Sequence, residues 1–268
     1  MWNEARTINL IANALTALAI LLLAVATVGW LVQRPAFQLS AIELEAGGDG
    51  ELHYVSEAAV RAATAGRLQG NFFTVDLDAT RELFETVPWV RRASVRRVWP
   101  NILRVQIEEH QPFAFWNESQ MINTWGEAFT ANQGELDDDQ VLPQLAGPEG
   151  TERLVVQRYA ELARWFEPLG LQVQSIALSP RYAWQSALSN GLLLNLGRDP
   201  GAEAPNPQGV TGALPFAARI RRFVQAWPVV QKQLGAETGI LQADLRYPNG
   251  FALTLADPPA TQQPKNKR

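Results

Sequence analysis

The feature that most limits what this chain can fold into is the run from Ile8 to Val32, INLIANALTALAILLLAVATVGWLV, with no charged side chain between Arg6 and Arg34. A helix over it would be about 37 Å long at ~1.5 Å per residue, against a hydrocarbon core of roughly 30 Å, so it can cross a bilayer. A buried core helix of that length would be expected to carry some charge. A cleavable signal peptide is the other reading, since Ala24-Val25-Ala26 supplies an A-x-A pattern. Apolar character nevertheless continues through Val28, Trp30, Leu31 and Val32, with Trp30 where an interfacial anchor belongs. This points to an uncleaved anchor over 8–32 behind a short tail, 1–7. Arg6 and Arg34 flank it on both sides and encode orientation only weakly, because long domains translocate with little regard to local charge.

Composition narrows the function classes. The 268 residues carry 23 Lys plus Arg and 27 Asp plus Glu, a formal charge of −4 that speaks against a general attraction to nucleic acid. Cysteine is absent, which removes disulfides, thiolate metal sites and cysteine nucleophiles. The two histidines, His53 and His110, leave little for zinc or proton-shuttling chemistry. None of the patterns G-x-x-x-x-G-K-[ST], G-x-S-x-G, H-E-x-x-H or G-x-G-x-x-G occurs. Glu135, Asp137, Asp138 and Asp139 lack the Gly and terminal Glu of a calcium loop and read as a solvated acidic segment. His110 follows Glu108-Glu109, as a general base paired with a carboxylate would, yet no third group is fixed beside it. Arg91, Arg92, Arg96 and Arg97 offer contacts to a partner or to headgroups, but on a strand they divide between two faces. Nine tryptophans, several beside turns, read mainly as core or junction anchors, with a minority available to an interface.

After the anchor the pattern has two textures and an α+β character. The first alternates strand and helix: a strand at Phe37–Leu44, a helix capped by Ser56 and closed by Gly66, and a second capped by Asp76 or Asp78 and stopped at Pro88. Two strands follow, Val90–Val98 and Leu103–Ile107, the latter alternating with Arg104, Gln106 and Glu108. The order is β-α-α-β-β. The second texture is richer in strands: Phe113–Trp116, Met121–Trp125, Ala128–Thr130, Val173–Leu178, Trp184–Leu188 and Leu192–Leu196, the last two joined by the hairpin signal Asn190-Gly191. Residues 132–150 and 199–215 read as loops, 152–167 as a helix, and Phe216–Leu234 as a helix interrupted near Pro228. A last hairpin runs Ile240–Tyr247, Pro248-Asn249-Gly250, Phe251–Leu255, ahead of a polar tail over 258–268 predicted to be disordered.

One stretch carries a resemblance. NFFTVDLDATRELFETVPWVRRASVRRVWPNILRVQIEEHQPFAFWN, Asn71 to Asn117, is similar to the FtsQ/DivIB family at its POTRA domain and domain junction, above all in Pro88-Trp89-Val90, Val95-Arg96-Arg97-Val98-Trp99-Pro100 and Glu109-His110-Gln111-Pro112. LPQLAGPEG (142–150), AWQSALSNGLLLNLGR (183–198) and DLRYPNGFAL (244–253) extend it over nearly the whole chain. The resemblance implies a single transmembrane helix, a POTRA domain over 33–110, then a mainly antiparallel β domain with flanking helices over 111–257. It implies a non-catalytic, type II inner-membrane component of the divisome, with its bulk in the periplasm at the septum and no cofactor. Its partners would be FtsB and FtsL, with FtsK, FtsW, FtsI and FtsN as further divisome proteins. In the family the FtsB partner adds a strand at the end of the β domain, which here carries over to Arg246, Tyr247, Asn249, Gly250, Phe251 and Leu253, with Arg181 and Arg198 on the preceding hairpin facing an acidic partner. Two other classes stand beside it: a POTRA-bearing polypeptide transport component, and a cell-wall enzyme secreted after cleavage at Ala26.

Overall fold

The computed structural model describes residues 2–48, 50–137, 139–199, 215–235, 239–247 and 249–256, with only the backbone for 2–7. The expected loop over 199–215 lies almost wholly outside these residues, as do the expected tail over 258–268, Asp138 and Pro248. The chain divides into two compact units, Met1–His110 and Gln111–Arg268.

In the first unit the apolar run forms one helix, α1 (Trp2–Val32), whose span Ile8–Val32 is long and apolar enough to cross a membrane and contains no buried residue. A helix apolar on every side has no aqueous face to offer. The Thr16 and Thr27 hydroxyls donate back to the Ala12 and Leu23 carbonyls, each at 2.8 Å, so these polar groups are satisfied within the helix.

The first strand, β1, occupies Ala41–Ala46, later than the expected 37–44. Pro35–Phe37 instead makes a tight 3₁₀ turn, in which the Gln38 N–H donates to the Pro35 carbonyl. Proline's fixed φ suits that turn and leaves no N–H for a ladder. Ser56 caps α2 (Glu57–Thr64) by accepting from the Ala59 N–H, and Asp76 caps α3 (Leu77–Glu85) by accepting from the Asp78 and Ala79 N–H groups. Two strands complete the unit, β2 (Val90–Val98) and β3 (Ile102–Glu109), in the sheet order β1-β3-β2, with β1 parallel and β2 antiparallel to β3. The period-two alternation of β3 buries Leu103, Val105 and Ile107 almost completely. A bulge at Arg91 lets Val90 and Ala93, which strict alternation would place on opposite faces, both lie buried.

Glu109 closes this unit at its far end. Its carboxylate accepts the backbone N–H groups of His53 (2.8 Å), Tyr54 (2.9 Å) and Val55 (2.6 Å), and the Tyr54 ring stacks on Trp89 at 4.2 Å. Hydrogen bonds to a charged acceptor contribute about 1.5–3 kcal/mol each, less where water competes. Glu109→Ala should therefore release residues 53–55. The expected result is faster amide hydrogen exchange at these three positions, with the β2–β3 ladder unchanged.

The second unit is a nine-stranded sheet. Its strands are β4 (Pro112–Trp116), β5 (Gln120–Asn123), β6 (Ala128–Phe129) and β7 (Gln144–Ala146), then, after helix α4 (Glu152–Phe166), β8 (Val173–Leu178), β9 (Ala183–Leu188) and β10 (Leu193–Arg198). Helix α5 (Phe216–Leu234) leads to β11 (Ile240–Asp244) and β12 (Ala252–Leu255). The spatial order is β12-β11-β10-β9-β8-β7-β4-β5-β6. Parallel neighbours need a crossover, and α4 bridges β7 to β8 while α5 bridges β10 to β11. One core holds Leu162 and Phe166 of α4, Ile220, Phe223 and Trp227 of α5, and the alternate residues Ile176, Trp184, Leu188, Leu194 and Leu196 of the sheet.

Two expectations are corrected. Residues 132–150 are not all loop: β7 lies inside them and pairs in parallel with both β4 and β8, with Leu145 buried. Helix α5 is not interrupted at Pro228. Phe216, Ile220, Phe223 and Trp227 recur at helical spacing into the core while Pro228 is exposed, so the burial of four large side chains outweighs one missing backbone hydrogen bond.

Candidate docking edge

A sheet end strand offers unpaired backbone groups, and the two ends of the nine-stranded sheet differ. At one end β6 has only two residues. At the other β12 pairs antiparallel with β11 in the register Ala243↔Leu253 and Asp244↔Ala252, and among the described residues no strand pairs with its outer side. The Ala256 N–H donates to the Gly239 carbonyl at 2.7 Å. Alternation along the strand then turns the backbone groups of Ala252 and Thr254 towards β11 and those of Leu253 and Leu255 outward.

The strand register brings the sequence-predicted residues together. Because β11 runs parallel to β10 with Asn195 opposite Asp244, the residues after Asp244 lie at the same end of the sheet as Arg198. The Leu245 N–H donates to the Asn195 carbonyl at 2.9 Å. Ala183 pairs with Arg198, which sets Arg181, in the turn before β9, at that end too. Arg181, Arg198 and Asn249 are exposed, and Tyr247 keeps 53% of its surface. Phe251 and Leu253 differ: both are half-buried against the core, Phe251 edge-on to Phe223 with ring centroids 5.1 Å apart. They seat the hairpin, and Arg246 and Tyr247 project from it.

Arg246 is held in place. Its Nε donates to both Asp244 carboxylate oxygens at 2.9 and 3.0 Å, and Nη2 to Oδ2 at 2.6 Å. The side-chain hydrogen bonds from Arg246, helped by its backbone N–H, hold the Asp244 carboxyl below the usual carboxylate range and raise the guanidinium in turn. The stem of Arg246 crosses β10 at Gly197, where an added Cβ would stand 2.8 Å from its Cγ and 3.3 Å from Nη1 of Arg219. Gly197 sits at a bulge with φ +72°, a conformation that side chains with a Cβ resist. Arg219 donates through Nη2 to the Arg198 carbonyl at 2.7 Å. Sequence reasoning missed Asp244, Gly197 and Arg219; the lone glycine inside a strand pattern was the available signal. Gly197→Ala should cost about 1–3 kcal/mol of stability through backbone strain. It should also displace the Arg246 side chain, seen as a shift of its Nε–H resonance.

Of the arginines on β2, Arg91 pairs with Glu108 at 2.6 Å, Arg96 with Glu45 at 3.5 Å, and Arg97 donates to the Val75 carbonyl at 2.6 Å. These three serve the fold of their own unit. Among the described residues no group of three or more His, Asp or Glu is placed to hold a metal.

Comparison with known proteins gives the assembly its context. The cell division protein FtsQ of Bordetella pertussis is 68% identical over 259 residues, which cover 97% of this chain and 94% of that protein. The chain belongs to the FtsQ/DivIB family. FtsQ of Burkholderia pseudomallei is 49% identical over 96% of the chain and 95% of its own length, and FtsQ of Escherichia coli 32% over 88% and 80%. Residues 49–110 match the FtsQ-type POTRA domain, and β1, which completes that sheet, lies before the match. Residues 114–246 match the C-terminal domain of cell division protein FtsQ/DivIB, a match that ends at Arg246, at the mouth of the last hairpin. Membership supports a role in the divisome, and the apolar helix α1 fits a single-pass membrane protein.

Proposed function

We propose that the chain is a non-catalytic scaffold of the divisome, a type II protein whose tail over 1–7 is cytoplasmic and whose two folded units stand in the periplasm at the septum. It captures FtsB, and with it FtsL, along β12, and so joins other division proteins, among them FtsK, FtsN and the septal synthases FtsW and FtsI. The observation that carries this reading is the edge of β12, unpaired among the described residues, beside the Arg246 and Tyr247 side chains. A partner segment laid along β12 would satisfy outward backbone groups, each bond contributing about 1 kcal/mol net. A strand this short cannot alone repay the several kcal/mol that association costs, so side chains must supply the remainder. Tyr247 offers an exposed aromatic face, and Arg246, Arg198 and Arg181 a cationic surround for an acidic segment. Depletion of the protein should give long filaments with unconstricted division sites, restored by the unaltered chain. Normal septation in cells lacking it and any second copy would contradict the proposal.

A further inference from the structure

Four aromatic rings gather where α1 meets the first folded unit. Phe37 and Phe73 lie edge-on with centroids 5.0 Å apart, Phe72 meets Phe73 at 5.2 Å and Trp99 at 5.8 Å, and Phe37 stands 6.2 Å from Trp99. Only Phe72 is buried; Phe73 keeps 45% of its surface and Trp99 67%. A cluster that served only the interior would not leave its two outer rings this open, since each large ring gains most by leaving water.

Its position says what covers it. The Nδ2 of Asn71 donates to the carbonyl of Val32, the last helical residue, at 2.8 Å, and the Phe72 N–H donates to the Phe37 carbonyl at 2.9 Å. The same Asn71 accepts through Oδ1 from the Phe73 and Thr74 N–H groups at 3.0 and 3.1 Å, which fixes the turn that displays Phe73. Phe73 is thus two residues, or at most about 7 Å of chain, from the group clamped to the helix end. The polar zone on each side of the hydrocarbon core is itself roughly 5–8 Å thick. Near the same helix end the Arg34 guanidinium stacks on Trp30 at 3.6 Å, a cation and an aromatic ring of the kind that settle at headgroup level.

We propose that Phe37, Phe73 and Trp99 form a membrane-seating surface, through which the first folded unit rests in the headgroup–acyl boundary of the bilayer that α1 crosses. The seat limits how far the unit can swing about its anchor, so that the chain leaves the membrane in a set direction.

The absence of cysteine makes the test direct, because one introduced thiol is a unique label site. The full chain, reconstituted alone in phosphatidylethanolamine–phosphatidylglycerol nanodiscs, would carry a nitroxide at Trp99→Cys, Phe73→Cys or Arg92→Cys. Arg92 is exposed on β2, seven residues from Trp99 and therefore roughly 23 Å up the strand. Expected is an oxygen-to-nickel-chelate collision ratio several-fold higher at 73 and 99 than at 92. A second measurement leaves the rings in place: in lipids brominated near the top of the acyl chains, the unaltered chain should lose more tryptophan emission than Trp99→Phe does. Equal collision ratios at the three positions would overturn the proposal, as would bromine quenching unchanged by Trp99→Phe. With no other protein in the nanodisc, a patch reserved for a protein partner gives those overturning results.

Discussion

Phe223→Ala should destabilise the second unit by about 3–5 kcal/mol, the cost of emptying a large aromatic site in a close-packed core. The ring is fully buried and meets Phe166 at 6.3 Å, Trp227 at 5.1 Å and Phe251 at 5.1 Å. It therefore joins α4, α5 and the residue that leads into β12. Because that loss is a large part of the 5–15 kcal/mol that typically holds a domain, denaturant unfolding should move to a much lower midpoint. The last hairpin should loosen first, since Phe251 loses its only aromatic neighbour among the described rings. A midpoint close to that of the unaltered chain would show that the core closes around the gap and that α5 does not seat the hairpin.

Tyr247→Ala should do the opposite: bind poorly and fold well. The residue is exposed and not part of the core cluster, so its removal should leave stability within about 0.5 kcal/mol. If it is the aromatic anchor of the FtsB interface, truncation should weaken capture about thirtyfold or more, since a hot-spot side chain contributes at least about 2 kcal/mol. Calorimetric titration of an FtsB segment into both chains measures this, and unchanged affinity would remove Tyr247 from the interface. The contrast with Phe223 separates a lost partner contact from a lost scaffold.

The Asp244–Arg246 pair adds a pH condition. Asp244 has a folded pKa below its unfolded value, so the stabilisation from this pair is complete above the unfolded carboxylate value of about 3.9 and fades as pH falls through the lower folded one. At neutral pH the clamp is closed and Arg246 stays oriented. Loss of orientation is expected only in acid below about pH 4.

How much of this was legible in the sequence differs from element to element. The β3 strand could be read from Leu103, Val105 and Ile107 because one face is buried and the other wet. The cap Ser56 could be read, and Asp76 as one of two candidates with Asp78, because a short polar side chain before an apolar-periodic stretch has few other uses. Strand β7 could not: it has three residues and one buried side chain, and it exists because β4 and β8, far away in sequence, leave a gap of one strand between them. Pro228 misled because local propensity was outweighed by the packing of Phe223 and Trp227 on the buried face of the helix, from which Pro228 is turned away. The docking edge was expected at the last hairpin through resemblance, but its strand order could not be read locally. That β12 is the end strand among the described residues depends on the parallel pairing of β10 with β11 across α5, which no local pattern encodes. The roles of Phe251 and Leu253 in seating the hairpin, and of Gly197 in letting Arg246 cross β10, depend on that same pairing.

Hydrogen exchange at single-residue resolution on the chain with and without the FtsB segment tests the docking claim most directly. The outward amides of Leu253 and Leu255 should become protected on binding, while those of Ala252 and Thr254, already turned to β11, change little. Protection that appears elsewhere and leaves Leu253 and Leu255 exchanging as before would contradict that claim.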